Sequence, residues 1–129
     1  MLDIKKENMQ LSHFSSSILD IIVIYRSQQG QQTELNNNLK QLENTEKPQL
    51  IIGDFNFCYL NKSGNPTRSY LENKKFSQLV TSPTHIEGNL LDQAYLRYSN
   101  GILEITAETQ SKYYSDHKGI AIIATKAKR

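Results

Sequence analysis

The chain has 129 residues, of which 37% are hydrophobic and 22% charged, with a formal charge of +2 and a pI near 8.6. That length holds one domain with a real core and not two, and the apolar runs exclude a disordered polar chain. The mild basicity permits nucleic acid as a partner without arguing for it.

Residues 1–17 are mixed in character. Met9, Leu11 and His13 alternate with Gln10, Ser12 and Phe14, which permits a short strand, while Asp3, Lys5, Lys6 and Glu7 suit an edge or a tail. Ser15-Ser16-Ser17 marks a turn. Ile18 to Tyr25 is the strongest strand. It is β-branched and apolar at odd and even positions from Ile21 onward, so it is expected in the middle of a sheet with cover on both faces. After a polar loop containing Gly30, Thr33 is placed to cap a helix running to about Asn44. Leu35, Leu39 and Leu42 form its apolar stripe, and Asn36 to Asn38 are expected on solvent or on the flank. Lys47-Pro48 ends it, and Leu50-Ile51-Ile52-Gly53-Asp54-Phe55-Asn56 follows as a strand. Strand, helix and strand in this order read as a right-handed βαβ-like unit.

A loop from Cys58 to Thr67 carries the turn residues Gly64-Asn65-Pro66. Ser69 and Glu72 have capping-box spacing for a second helix with Phe76, Leu79 and Val80 on its apolar face, Lys74-Lys75 on its wet face, and Ser82-Pro83 as its stop. Leu90 to Arg97 alternates as a strand, with Asp92 on the face of Leu90, Ala94 and Leu96. Ser99-Asn100-Gly101 predicts a hairpin turn into a return strand, Ile102 to Thr106. A polar loop then leads to Tyr113-Tyr114-Ser115-Asp116-His117-Lys118, and Gly119 to Ala124 is the last strand before a basic tail over 126–129.

The lone Cys58 excludes an internal disulfide, suits a reducing compartment, and reads as a small buried hydrophobe more readily than as a nucleophile. No apolar stretch approaches the ~20 residues of a membrane span, and Lys5-Lys6 leads into no signal-peptide core. A soluble intracellular protein is expected.

The chemistry concentrates in a few polar residues at strand ends. In a strand, Asp54 and Asn56 share one side at the carboxyl end, a position where catalytic groups gather in α/β proteins. Gly, Asp and Asn are equally ordinary turn formers. Asp92, an acid among apolar neighbours, needs a partner; His117, Arg97, Arg68 or a backbone amide could supply it. If Asp54, Asp92, Asp116 and His117 meet at one rim, they make a workable phosphodiester-cleaving set. Asp116 would ligate a hard cation, Mg2+ or Mn2+. Asp54 would deprotonate a water, with Asn56 holding the water or the carboxylate. His117 would donate to a phosphate oxygen as charge builds, and Asp92 would accept its other ring N–H. An Asp-His pair before a strand is otherwise a solvated loop. His13 and His85 have no evident partners, and there is neither zinc spacing nor a phosphate-cradling glycine loop.

Three segments in order, Ile51-Ile52-Gly53-Asp54-Phe55-Asn56, Leu90-Leu91-Asp92-Gln93-Ala94-Tyr95-Leu96 and Ser115-Asp116-His117-Lys118-Gly119-Ile120, resemble the endonuclease/exonuclease/phosphatase superfamily. That superfamily includes exonuclease III, deoxyribonuclease I and the endonuclease domains of retroelements. Val23-Ile24-Tyr25-Arg26 is similar to its strand ending in an active-site tyrosine, and the Pro83-Thr84 loop to that of retroelement members. Over 18–125 the resemblance implies the second half of a four-layer α/β sandwich. It implies Asp54 and Asn56 at the attacking water, Asp116 on Mg2+ or Mn2+, His117 on the phosphate supported by Asp92, and Tyr25 on the scissile phosphate. It also implies a nuclease acting on DNA, nuclear if it belongs to a retroelement. The family's first half carries an Asn and the principal metal-binding Glu; residues 1–17 do not hold them, and Glu7 lacks the context. A truncated half-domain of low turnover, with exposed edges and one uncovered sheet face, is therefore expected. The alternatives are an inactive remnant or interaction module of the same fold, and a lipid- or inositol-phosphate phosphodiesterase with the same motifs.

Overall fold

The computed structural model describes residues 2–6, 8–60, 65–97, 103–114 and 116–126. The turn at Ser99-Asn100-Gly101, Glu7, Gly64, Ser115 and the end of the basic tail lie outside the described residues.

The structure is α/β: a mixed six-stranded sheet, two helices on one of its faces and a two-stranded sheet on the other. The large sheet has the order β1-β2-β3-β4-β6-β5. Residues 2–15, hard to read in the sequence, extend it by two antiparallel strands, β1 (Leu2–Lys6) and β2 (Met9–Ser15). β3 (Asp20–Arg26) lies between β2 and its parallel neighbour β4 (Gln49–Asp54), with helix α1 (Gln32–Gln41) in the crossover. Helix α2 (Pro66–Asn73) follows. β5 (Ser77–Gln78) and β6 (Asp92–Arg97) then pair with each other, and β6 runs antiparallel to β4. β7 (Leu103–Tyr114) and β8 (His117–Lys126) form the second sheet.

Strand alternation sorts the core into two clusters. Ile22, Ile24, Ile51, Phe55 and Tyr95 face the helices and pack with Leu35, Leu39, Leu42 and Leu71. Leu50, Ala94 and Leu96 point the other way and meet Leu90, Val80 and Ile105, with Ile120 and Ile122 beside them. β3 is central, as its composition requires, but among the described residues its second face is covered only in part. On that face Ile21 packs against the cluster under the β7-β8 hairpin, while Val23 and Tyr25 are 42% and 52% exposed.

Several local expectations change. Residue Gln31 caps α1 without a side-chain bond, and Thr33 lies inside the first turn; Gln32 Oε1 instead accepts from the Thr67 N–H of α2 at 3.1 Å. Of the three asparagines, Asn38 is buried, its amide on Met9 Sδ at 3.7 Å. Asn65, not Ser69, caps α2: its Oδ1 accepts from the Arg68 N–H at 2.9 Å, and Pro66 occupies the first turn, where a missing N–H costs nothing. α2 stops at Asn73 because Lys75 turns left-handed (φ 70°) and the Phe76 N–H returns to Leu71 O. Lys74-Lys75 is thus a helix end, and Phe76, Leu79 and Val80 lie beyond it. The predicted β6-β7 hairpin pairing is absent from the described residues: β6 has β4 on one edge and β5 on the other, so β7 pairs with β8 instead. β7 also runs on to Tyr114 where a polar loop is expected. His13, without an evident partner in the sequence, bonds the fully buried Asp20 at 2.7 Å; Gln49 Nε2 donates to the same carboxylate at 2.7 Å.

Candidate active site

The carboxyl end of β4 positions the first acid. Residue Gly53 has φ 150°, and a Cβ there would lie 1.9 Å from the carbonyl oxygen of Ile24. Only glycine lets β4 approach β3 so closely, and the next residue is Asp54. The strand ends there. Asn56 takes φ 55° and its N–H donates to Asp54 Oδ1 at 2.9 Å, so the segment is an Asx-type turn and a candidate catalytic position at once. The period-2 placement of Asn56 beside Asp54 is therefore replaced by a turn, in which the Asn56 main chain holds the carboxylate.

Arg26, whose role the sequence did not suggest, fixes this turn from below. It is buried, and its guanidinium donates to Phe55 O at 2.7 Å, Asn56 O at 3.0 Å and Gly30 O at 2.6 Å. Its charge also acts on Asp54.

Cross-strand register places Tyr25 opposite Asp54 and Asp54 opposite Asp92, giving one row across β3, β4 and β6 at the rim of the sheet. His117, the first residue of β8, comes to that row from the second sheet. Its Nδ1 meets Asp92 Oδ2 at 2.5 Å; its Nε2 lies 3.9 Å from Asp54 Oδ2 and 3.8 Å from Asp116 Oδ1. Asp54, Asn56, Asp92, Asp116 and His117 thus gather in one place. Tyr25 shares their row with an exposed side chain. The other candidate partners of Asp92 are engaged elsewhere, Arg97 with Glu43 at 2.7 Å and Arg68 with Glu72 at 2.7 Å.

The loop from Thr84 to Asn89 locks the two sheets together here. Thr84 is buried, and its Oγ1 accepts from the N–H groups of Leu91 (3.2 Å) and Asp92 (3.0 Å). Its carbonyl accepts from the Lys118 N–H at 2.7 Å, and the Ile86 N–H donates to Asp116 O at 2.8 Å. His85, left without a partner by the sequence, lies within the site: its Nε2 is 3.2 Å from Asp116 Oδ2, and its ring meets that of His117 edge-on at 5.1 Å.

Electrostatics follow from this crowding. Burial, and then the charge of Asp92, raise the Asp54 carboxyl above its ordinary value, against the Asn56 N–H, His117 and Arg26. For His117, burial is the largest single influence and acts downward. The hydrogen bond to Asp92 and the charges of Asp92, Asp54 and Asp116 together outweigh it, and the net shift is upward.

Three carboxylates around one imidazole leave an excess of negative charge that suits a divalent cation. Asp54, Asp92 and His117 form one set of ligand atoms within 4.8 Å of one another, and His85, Asp116 and His117 a second. The first set offers two carboxylate oxygens and one imidazole nitrogen, the second one carboxylate oxygen and two imidazole nitrogens; carboxylate oxygens suit hard cations and imidazole nitrogens suit softer ones. The site opens on a cleft of about 480 Å³ lined in part by Gln28, Asn56, Phe57 and Asn89. Among the described residues, no helix is long and apolar enough to cross a membrane. No family model, curated protein or solved structure matches this chain.

Proposed function

We propose that the chain carries the second half of a deoxyribonuclease I-like four-layer sandwich, and that its rim hydrolyses phosphodiesters with Mg2+ or Mn2+, acting on DNA as a retroelement-type endonuclease domain. One observation carries the reading: a single imidazole, bonded at Nδ1 to Asp92, turns its Nε2 to both Asp54 and Asp116. Asp54, with its proton affinity raised and Oδ1 held by the Asn56 N–H, accepts a proton from the attacking water as that oxygen bonds to phosphorus; the opposite ester P–O bond breaks, and the leaving sugar oxygen takes a proton from solvent water. Protonated His117 donates from Nε2 to a non-bridging phosphate oxygen as charge develops there, and Asp92 keeps the ring oriented. Tyr25, one strand from Asp54, offers its hydroxyl to the same phosphate. Asp116 would hold the cation, which when bound neutralises phosphate charge.

The exposed side chains of Phe14 on β2 and of Val23 and Tyr25 on β3 favour a second reading, a binding module of the same fold without turnover. Incubation with supercoiled plasmid and Mg2+ or Mn2+ separates the two. The expected result is slow nicking that Asp54→Ala and His117→Ala each lower by about 100-fold or more. A folded chain that nicks nothing would leave the binding module, and hydrolysis of inositol phosphates without nicking would move the substrate to that class.

A further inference from the structure

We infer that His85 is the positioning residue of Asp116, an inference that rests on the metal role proposed for that carboxylate. The N–H of Glu87 donates to His85 Nδ1 at 3.2 Å, and His85 Nε2 lies 3.2 Å from Asp116 Oδ2. A neutral imidazole that accepts at Nδ1 carries its proton on Nε2. His85 therefore presents Asp116 with a donor and has no lone pair at that nitrogen to offer a cation. It holds a ligand and is not one, although its ring lies in the same cluster.

The loop around His85 is shaped for this task. Gly88 takes φ 90° and its N–H returns to His85 O at 2.9 Å, while the Thr84 and His85 N–H groups both donate to Asn89 O, at 3.1 and 2.9 Å. The Ile86 N–H binds Asp116 O at 2.8 Å, so one loop holds both the main chain and the side chain of Asp116. With Oδ2 held by His85, Oδ1 is the oxygen that faces His117 Nε2 at 3.8 Å. The Asp116 side chain is 58% exposed, and a carboxylate so open to solvent samples many rotamers unless something orients it. Orientation in advance of binding lowers the entropic cost of capturing a cation, and loss of such outer contacts weakens metal binding by about 10–100-fold.

Titration of the full chain with Mn2+, followed by electron paramagnetic resonance, tests this in the wild type, H85A, H85Q, D116N and H85A/D116N. H85A is expected to weaken binding about 10–100-fold, and H85Q, whose amide N–H replaces the Nε2 donor, to recover most of it. D116N should weaken binding at least as much as H85A, with H85A adding nothing further in that background. The 15N spectrum of the wild type should show the His85 proton on Nε2. H85A binding Mn2+ like the wild type, H85Q no better than H85A, or a proton on Nδ1 would each overturn the positioning role while the proposed metal site stands. A wild-type chain that binds no Mn2+ would overturn both.

Discussion

Protonated His117 has two N–H groups, one on Asp92 at 2.5 Å and one turned to Asp54 and Asp116. Because its folded pKa is raised above the ordinary 6.5, its protonation stabilises the fold; that contribution is complete below pH 6.5 and is lost as pH rises through the folded value. Asp92→Asn removes the nearest negative charge, so NMR titration of the metal-free protein should find the His117 midpoint lower in the variant. Asp54 is also raised, from 3.8, but there the favoured form is the neutral acid. The stabilisation is complete below pH 3.8 and lost as pH rises through the folded value, so ionised Asp54 costs stability at neutral pH. Asp54→Asn, which keeps an acceptor for the Asn56 N–H, should therefore raise Tm at pH 7 while sharply lowering nicking, and a scanning calorimeter checks the first half. The Asp92-His117 pair was legible in the sequence, since an acid on an apolar strand face demands a partner. The bonds of Arg26 to Phe55 and Asn56 and of His85 to Asp116 were not. They join residues about 30 apart in the chain, and no local pattern announces such a contact.

At the scale of elements, Gly53 is the tightest constraint. Gly53→Ala puts a methyl 1.9 Å from Ile24 O in a backbone conformation that costs on the order of 1–3 kcal/mol for other residues, before any displacement of β3 from β4. Urea denaturation should show at least that loss, and nicking should fall with it because Asp54 is the next residue. Asp20→Ala tests the other end of β3. It removes the carboxylate shared by His13 and Gln49, whose Nε2 keeps Leu42 O at 2.9 Å, and since a hydrogen bond to a charged group contributes about 1.5–3 kcal/mol, urea denaturation should show a loss of that order. Alternation made β6 readable from sequence, because Ala94 and Leu96 face one cluster and Tyr95 the other. Pairing did not follow from alternation: whether β7 returns to β6 depends on which edges of β6 are free, and both are taken.

Across the whole molecule, the helices cover one face of the large sheet and the hairpin covers part of the other. Amide exchange should be slowest in β2, β3, β4 and β6, which have neighbours on both edges, and fastest in the edge strand β1, where Asp3 and Lys5 are exposed. The α/β class and the central place of β3 were visible in its apolar run. Composition called for cover on both sides, whereas Val23 and Tyr25 on one face are exposed. The site itself depends on this architecture, because Asp54 comes from the large sheet and His117 from the small one, joined by the Thr84–Asn89 loop. The most direct measurement is the rate of plasmid nicking by D54A, H117A and the double variant. Groups that act as one catalytic unit are not additive, so the double variant should be no slower than the worse single variant. Independent, multiplying losses, or single variants that nick as fast as the wild type, would contradict a shared site.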